Sequence, residues 1–323
     1  MRTTIYNHAA DVPQLPEGNY FHSVDLMALC ERTPRHKPFM VVVTSDDDDS
    51  RVLAHMLAVE RYKSAWLPPY IYMHVQVLGV GVYAAVQPDE QLFSLMVSAV
   101  TRRLQNRVLY LEFSNLPYKM FGYKALRREG YFPVRWMNIH NSLHSRTPEE
   151  RITGRQLRRV NYAAERGVTT KMVETDEEFR AFSKLLRRHN WLKPRRYIPA
   201  NEFFRGLMEA GRCRLFITQY RGITIGCSVC VYSEGDAYLW YSASRRKSFA
   251  SLHPNAVTFW NTIKDAHARG CQHIRFMDVG LPFRKNPYRD FILSFGGKEV
   301  STYRWFRISI RWVNRLASWI WRE

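Results

Sequence analysis

The sequence predicts an α/β protein of mixed (α+β) sheets, with two similar units in one chain of 323 residues. Short strand patterns alternate with amphipathic helical patterns along the whole chain. Hydrophobic residues make up 46% of the chain, which is enough for a large core. The order strand-strand-strand-helix-strand-helix-strand occurs in both halves. No residue-level repeat accompanies it, so the predicted duplication lies in the order of elements.

The first half supplies five predicted strands and two predicted helices. The strands are predicted at 37–45, 51–61, 70–79, 107–115 and 132–143, and the helices at 89–105 and 118–130. The acidic run "DDDD" at 46–49 joins the first two strands, and we expect it to be a solvated hairpin loop. A metal site there would need ligands from elsewhere.

The sequence of the second half predicts more helices than that of the first half, together with a meander of strands. Helices are predicted at 153–167, 176–190, 200–211, 254–269 and 286–295, and strands at 168–174, 213–220, 223–232, 236–243, 273–280 and 299–308. The turns "RG" and "SEGD" separate the strands between 213 and 243, which favours an antiparallel meander. We expect the two units to be joined near residues 145–158.

The charge balance of the chain predicts an anionic partner. Lys and Arg number 48 against 29 Asp and Glu, which gives a formal net charge of +19. Such a surplus attracts RNA, phosphorylated cofactors or an anionic lipid face. The competing interpretation is a generic basic surface that keeps the protein soluble.

The five scattered cysteines predict a reducing compartment rather than a secreted disulfide scaffold. Cys227 and Cys230 form a CxxC, but they stand inside a predicted buried strand without a second ligand pair, so we expect no metal. The N-terminal segment lacks the apolar region of a signal peptide. No apolar run reaches the ~20 residues needed to span a bilayer. These observations predict a cytoplasmic protein.

A cationic loop stands between a predicted strand and a predicted helix. Arg245, Arg246 and Lys247 follow the strand at 236–243, and His253 precedes the helix that begins near Pro254. The first N–H groups and the dipole of a helix favour an anion, and adjacent cations add charge-assisted contacts. We therefore expect these four residues to bind an anionic donor. The alternative is a solvated charge run that caps a helix.

Four segments together resemble the Fem-type (FemAB-like) family of peptidoglycan aminoacyltransferases. They are "LRRVNYAAERGV", "SLHPNAVTFWNTIKDAHARG", "RFMDVG" and "DFILSFGG". The resemblance is strongest over 155–306 and extends back to about residue 18. It implies two tandem acyl-CoA N-acyltransferase (GNAT)-like domains, at 1–150 and 151–308. A basic aromatic helix at 309–323 would end the chain.

The resemblance implies an acyltransferase that moves an amino acid from aminoacyl-tRNA to an amine of a cell-wall (peptidoglycan) precursor. No covalent intermediate and no tightly bound cofactor are expected, with aminoacyl-tRNA or acyl-CoA as co-substrate. One alternative is an acyl-CoA-dependent N-acyltransferase acting on a small amine, sugar or lipid. Another is a non-catalytic relative that binds RNA or membrane.

Two departures from related patterns bear on these alternatives. The loop "RRKSFASLHP" lacks the glycines of a typical acetyl-CoA loop, so its backbone is less free to wrap a pyrophosphate. This favours aminoacyl-tRNA over acetyl-CoA. Many Fem-type enzymes carry Phe-Lys-x-x-Phe-Gly where this chain has "FILSFG", with Ile292 in place of the lysine. Either Arg289 or Lys285 could substitute for that lysine; the other interpretation is that the chemistry is changed or lost, which favours the non-catalytic alternative.

Two residues are candidates for chemistry. Asp278 ends the strand pattern "RFMDVG" and could orient or deprotonate an amine, and Tyr241 ends the preceding strand and could donate a proton to a leaving group. The alternatives are a carboxylate that caps a turn and an aromatic ring packed in the sheet.

Two basic clusters are candidates for binding phosphate or carboxylate groups of the acceptor. They comprise Lys193, Arg195 and Arg196, and Arg284, Lys285 and Arg289. The alternative is a surface that contributes only charge.

The C-terminal segment predicts a cationic amphipathic helix. Trp312, Leu316 and Ile320 share one face at helical spacing, and arginines such as Arg311 and Arg315 are interspersed. A cationic, Trp-rich helix suits the headgroup region of an anionic membrane, so we expect peripheral contact of 309–323 with the inner leaflet. The alternative is an apolar face that packs on the protein's own core or on a second subunit.

Overall fold

The computed structural model describes residues 1–47, 51–65, 70–116, 119–190, 197–277, 279–282 and 285–321. The chain divides into unit 1, Met1–Trp136 with Ser301–Glu323, and unit 2, Met137–Val300. Compared with the predicted ranges, residues 137–150 fall in unit 2 and residues 301–308 fall in unit 1. As independent domains, the ranges 1–150 and 151–308 stay a prediction.

Both units mix strands and helices. The strands are β1 (Arg2–Tyr6), β2 (His36–Thr44), β3 (Val52–Ala65), β4 (Tyr70–Leu78), β5 (Val82–Tyr83), β6 (Tyr110–Ser114), β7 (Phe132–Ser142), β8 (Thr169–Met172), β9 (Cys213–Tyr220), β10 (Ile223–Ser233), β11 (Asp236–Ser244), β12 (His273–Phe276) and β13 (Lys298–Ile308). The helices are α1 (Val24–Arg32), α2 (Glu90–Leu104), α3 (Tyr123–Arg128), α4 (Pro148–Arg151), α5 (Gly154–Glu165), α6 (Asp176–Asn190), α7 (Asn201–Glu209), α8 (Pro254–Ala268), α9 (Pro287–Leu293) and α10 (Arg311–Ile320). In the described residues, no helix is both long enough and apolar enough to cross a membrane.

Unit 1 orders its strands β1-β2-β3-β4-β6-β13, with the short β5 beside β3. Neighbours are antiparallel except β4 and β6, which are parallel. Helix α2 packs across β2 and β3, and its apolar stripe meets the inward side chains of the strands. Phe93, Phe113 and Trp305 are fully buried in the resulting core.

Unit 2 orders its strands β7-β12-β11-β10-β9-β8. Strands β9, β10 and β11 form the predicted antiparallel meander, which is confirmed, and β11 runs parallel to β12. Helix α8 packs on β9, β10 and β11, while α6 packs on β10 and β11. Phe259, Ile263 and Phe276 are buried in its main core.

Two differences from the predicted elements have local causes. The helix predicted at 118–130 begins only at Tyr123, because Gly122 precedes it in the left-handed conformation (φ +68°). The first strand and first helix were not predicted. β1 pairs with β2 over five residues, and α1 begins where the Ser23 side chain accepts a hydrogen bond from Leu26 N–H.

Candidate functional site

The candidate site begins where two parallel strands of unit 2 part. Strand β11 pairs with β12 from Asp236 to Leu239, and the last backbone contact joins Met277 N to Leu239 O at 3.4 Å. β11 then continues to Ser244 alongside β10, beyond the end of β12. Ligands of open α/β sheets bind at such crevices, outside the carboxyl ends of parallel strands.

The chain between β11 and α8 leaves backbone donors available. A turn and a short 3-10 helix lead to His253, whose left-handed backbone (φ 45°) precedes Pro254, the first residue of α8. No side chain among the described residues caps this helix start. Among the described residues, the backbone N–H groups of Arg246, Lys247 and Ser248 have no protein acceptor. They are therefore available to a bound anion.

A cavity of about 680 Å³ lies at this strand end. It is lined by Leu185, Arg188, His189, Cys227, Ser242, Ala243, Ser244, Arg245, Arg246, Lys247, Ser248, Asn255, Thr258, Phe259, Tyr288 and Phe291. Four of these residues are Arg or Lys, and the described lining contains no Asp or Glu. A concave wall of one sign of charge concentrates an oppositely charged ligand, so the cavity favours an anion.

One wall of the cavity is aromatic. The Phe259 ring lies 5.1 Å from the Phe291 ring and 6.2 Å from the Tyr288 ring, centroid to centroid, edge-on in both cases. This packing fixes the rings of α8 and α9 against each other. The cavity thus combines a cationic loop with an apolar wall, as ligand sites for amphipathic molecules do.

A glycine fixes the first turn of α8 against the sheet. A Cβ at Gly226 in β10 would fall well inside contact distance of Thr258 Oγ1, so only glycine allows this approach. The Thr258 hydroxyl donates to Pro254 O at 2.7 Å and lies 2.6 Å from Thr218 Oγ1. The cavity floor is therefore held by hydrogen bonds on a buried, rigid helix start.

Helix α6 contributes Leu185, Arg188 and His189 to the lining, none of which was predicted as a site residue. His189 Nδ1 lies 3.1 Å from Ser244 O, and since a carbonyl only accepts, Nδ1 carries the proton. Basic residues are also common in the last turn of a helix, where they complement the helix dipole. Their presence there in the sequence therefore does not distinguish a ligand-binding role from a helix-stabilising one.

The predicted donor-binding residues separate into two groups. Arg245, Arg246 and Lys247 line the cavity, with Arg245 half-buried and the other two exposed. His253 lies outside the described lining, and its backbone O accepts from Ala256 N–H at 2.8 Å. Burial, with a smaller contribution from Arg159, lowers the pKa of His253 below its ordinary value. The donor-binding role of all four stays a prediction.

Of the two predicted catalytic residues, Tyr241 is described and Asp278 is not. Tyr241 is 4% exposed and packs between Trp240 and Phe204, with ring centroids 5.4 and 5.5 Å away. It lies outside the described cavity lining, in the packed position that was its alternative. Asp278 lies outside the described residues. Both roles stay predictions.

The predicted acceptor-binding residues are described only in part. Lys193, Arg195, Arg196 and Arg284 lie outside the described residues. Lys285 is exposed. Arg289 donates to Leu281 O at 3.1 Å and to Pro282 O at 3.2 Å, and its Nε lies 3.2 Å from Glu299 Oε1. Arg289 thus holds the loop before α9, and the acceptor role of both clusters stays a prediction.

Ile292 stands next to a cavity residue but belongs to the core. Phe291 lines the cavity, whereas Ile292 is fully buried among the apolar residues of unit 2. A lysine here would bury an ammonium group in apolar surroundings, which is costly without a partner. The replacement of the family lysine therefore matches the local packing.

Comparisons with known proteins agree with this geometry. Residues 151–285 match the acetyltransferase (GNAT) domain family, and that range contains the cavity lining except Tyr288 and Phe291. FemX has 13% sequence identity and a TM-score of 0.63, over 98% of this chain and 100% of its own. A tandem GNAT protein from the clavulanic acid biosynthesis pathway has 10% identity and a TM-score of 0.58, over 95% and 99%.

The chain has the tandem GNAT fold of Fem-type proteins. The C-terminal domain of a putative lysylphosphatidylglycerol synthetase from Agrobacterium fabrum has the same fold, with 10% identity and a TM-score of 0.59, over 94% of this chain and 91% of its own. No curated protein matches the sequence. The predicted fold class and family resemblance are confirmed, and residues 151–285 match the acetyltransferase (GNAT) domain family.

Proposed function

We propose that this Fem-type GNAT protein moves an amino acid from aminoacyl-tRNA to an amine of a cell-wall precursor. The observation that carries the proposal is the cavity of unit 2, which is lined by four cations at the point where β11 and β12 part. The 3′ end of a charged tRNA brings phosphates and an activated ester to one place. The cationic loop suits the phosphates, and the interior of the cavity suits the ester.

Three further features support tRNA as the donor. The loop from Arg245 to His253 contains no glycine, whereas a typical acetyl-CoA loop does. The chain carries a net charge of +19, and RNA binding draws on such a surplus through phosphate contacts. The fold is shared with FemX.

The proposed step is direct aminolysis of the ester. The acceptor nitrogen attacks the ester carbonyl carbon, a C–N bond forms, and the C–O bond to the tRNA ribose breaks. The amine loses a proton, and the ribose oxygen gains one. His189 is the proposed proton acceptor, since the hydrogen bond from Nδ1 to Ser244 O orients the ring. The lining hydroxyls of Ser242 and Ser248 are proposed donors to the developing oxyanion.

A second candidate keeps the fold and uses acyl-CoA. The aromatic wall of Phe259, Tyr288 and Phe291 favours it, because it suits an apolar acyl or pantetheine chain. The backbone N–H groups of residues 246–248 also suit a pyrophosphate. A third candidate is a relative that binds RNA without chemistry.

The donor is tested by a transfer assay that offers charged tRNA pools and acyl-CoA pools with cytoplasmic precursor extracts, read by mass spectrometry. Combined Arg245→Ala, Arg246→Ala and Lys247→Ala substitution should weaken binding of the true donor by at least roughly tenfold, because each charge-assisted phosphate contact is lost. Transfer from acyl-CoA alone would replace the tRNA proposal with the second candidate. Binding of tRNA without transfer from any donor would favour the third.

A matched triple variant controls for net charge. Arg155, Lys184 and Arg212 are exposed cations of unit 2 outside the described cavity lining. Their combined replacement by Ala removes the same three charges, and we expect donor affinity to fall by less than about threefold, through long-range electrostatics alone. If both triple variants lose affinity equally, the cavity is not the donor site.

The proposed proton acceptor gives a separate prediction. His189→Gln should lower the transfer rate constant by roughly a hundredfold or more, the contribution typical of a general base. Donor affinity should change little, because the charged loop is intact. The measurement is single-turnover transfer with saturating donor over a range of pH. An unchanged rate constant would remove His189 from the mechanism and leave the donor assignment standing.

A further inference from the structure

Helix α10 directs its apolar face toward solvent. Trp312, Leu316, Trp319 and Ile320 are 69%, 49%, 63% and 59% exposed. At about 100° of rotation per residue, these four side chains occupy one stripe roughly 100° wide. Helices of globular proteins normally bury such a stripe. None of the residues of α10 is buried.

A polar side chain holds the opposite face of α10 on unit 1. Asn314 Oδ1 accepts a hydrogen bond from Ile308 N–H at 2.8 Å, and Asn314 Nδ2 donates to Gly130 O at 2.9 Å. Val313 and Ala317 on the neighbouring positions are half-buried. The orientation of the helix is thus set by specific hydrogen bonds, and the apolar stripe is displayed rather than left over from poor packing.

Other exposed apolar side chains adjoin the start of α10. Ser309 N–H donates to Leu109 O at 3.0 Å, and Leu109 N–H donates to Met73 O at 2.7 Å. Ile310, Leu109 and Met73 are 46%, 43% and 38% exposed. With Ile71, these residues and the stripe account for eight of the fifteen large apolar side chains that are exposed in the described chain. Such concentration marks an interaction surface.

Cations border the apolar stripe. Arg311 and Arg315 are exposed and follow each other on one side of it, at roughly 260° and 300° when Trp312 is set at 0°. The described residues of the helix and its end, 311–321, include no carboxylate. The complementary surface is therefore apolar at its centre and anionic at its edge.

We propose that α10 lies in the plane of an anionic bilayer, with its apolar stripe among the acyl chains and its arginines against the lipid headgroups. Tryptophan favours this interface, where its ring is apolar and its N–H stays hydrated. RNA binding would need cations at the centre of the surface rather than at its border. The proposal does not depend on the transferase chemistry.

The size of the helix argues against a second copy of the chain as the occupant. Ten residues rising about 1.5 Å each give a face only ~15 Å long. A stable protein interface buries roughly 800 Å² on each partner, well beyond one stripe of such a helix. A bilayer needs no fixed area, because binding grows with each apolar side chain inserted and each charge neutralised.

The test is flotation of the full chain with vesicles of phosphatidylglycerol and phosphatidylcholine, compared with vesicles of phosphatidylcholine alone. We expect binding to the anionic vesicles and its loss in Trp312→Ser with Trp319→Ser. Arg311→Gln with Arg315→Gln should weaken it by roughly twenty-five-fold, about fivefold per arginine near an anionic surface. All four side chains are exposed, so these variants should fold.

Matched controls separate docking from general surface properties. Met172→Ser with Ile223→Ser removes two exposed apolar side chains of unit 2, which are 37% and 45% exposed, and should leave flotation unchanged. Equal loss in this control would show that any exposed apolar group suffices and would overturn the proposal. Absence of flotation by the unmodified chain would overturn it directly.

Site-specific labelling reports the orientation. All five native cysteines are buried, so a polarity-sensitive dye reacts selectively with an introduced thiol. Dye on Leu316→Cys, in the stripe, should shift to the blue with anionic vesicles. Dye on Ser318→Cys, roughly on the opposite side, should not. A shift at Leu316→Cys without vesicles, rising with protein concentration, would indicate a second copy as the occupant and contradict the proposal.

Discussion

Strands β4 and β6 are parallel in unit 1, and β11 and β12 are parallel in unit 2. The helices that come after β4 and after β11 start in different ways. In unit 1, α2 comes after β4 and the short β5, and Asp89 caps it, accepting from Gln91 N–H at 2.7 Å and Leu92 N–H at 2.9 Å. In unit 2, α8 follows β11, starts at Pro254, and has no side-chain cap. A carboxylate thus occupies one helix start, and the cationic loop borders the other.

The two strands also differ in how far each stays paired with its parallel neighbour. β4 stays paired with β6 up to its last residue, Leu78, opposite Ser114, and Gly79 N–H donates to Ser114 O at 2.8 Å. β11 separates from β12 after Leu239 and runs on to Ser244. Only a strand that outlasts its parallel neighbour leaves a crevice beside the helix start.

The comparison shows that one arrangement of elements can be closed or open to a ligand. A carboxylate cap accepts hydrogen bonds from the first N–H groups of a helix and balances the positive end of its dipole, and a strand end that stays paired leaves no crevice beside it. A parted strand end without a cap leaves the same groups to an external anion. On the proposed assignment of the donor to unit 2, the helix start without a carboxylate cap is the one beside the donor.

Adding a carboxylate at the start of α8 should make it resemble the capped start of α2, and this is the larger of the two effects expected from the comparison. Asn255 lines the cavity in the first turn of α8, and Asn255→Asp is nearly isosteric. The added charge should lower donor affinity by roughly tenfold or more through repulsion of phosphate. Thermal stability should stay equal or rise slightly, because the carboxylate favours the helix dipole. Equilibrium binding and thermal unfolding measure the two effects.

The matched variant Asn255→Ala removes the same amide without adding charge. We expect it to change donor affinity by less than the Asp variant does. If the two variants weaken binding equally, the amide rather than the charge matters, and the electrostatic comparison of the two helix starts fails.

Much of the fold could be predicted because its elements are locally encoded. Helix α6 carries apolar residues such as Phe179, Phe182 and Leu186 at helical spacing, and the structure places it at the predicted residues 176–190. The helix predicted at 118–130 was too long, because the left-handed backbone of Gly122 depends on its packing against Phe93. Strand β1 is recognised only through its pairing with β2.

The candidate site was predictable only where its residues are close in sequence. Arg245, Arg246 and Lys247 share one loop, and that loop lines the cavity. Arg188 and His189 reach the same cavity from α6, and no local pattern connects the last turn of that helix to the end of β11. Tyr241 was chosen for its place at a strand end, but a β-bulge at Trp240 interrupts the alternation of side chains there, and Tyr241 packs against Trp240 and Phe204.

Removing the carboxylate of Asp89 from the start of α2 should change the free energy of unfolding and not the binding of the donor. This is the smaller of the two expected effects. Asp89→Ala loses a capping interaction and a favourable charge at the N-terminus of α2, which together cost about 1–2 kcal/mol. Donor affinity and transfer rate should not change, since the cavity lies in unit 2. Urea unfolding measures the cost, and Asp89→Ser, which keeps a capping oxygen, should recover part of it. A loss of donor binding in Asp89→Ala as large as that in Asn255→Asp would mean that the unit 1 helix start also serves the donor, and the contrast between a closed and an open unit would be wrong.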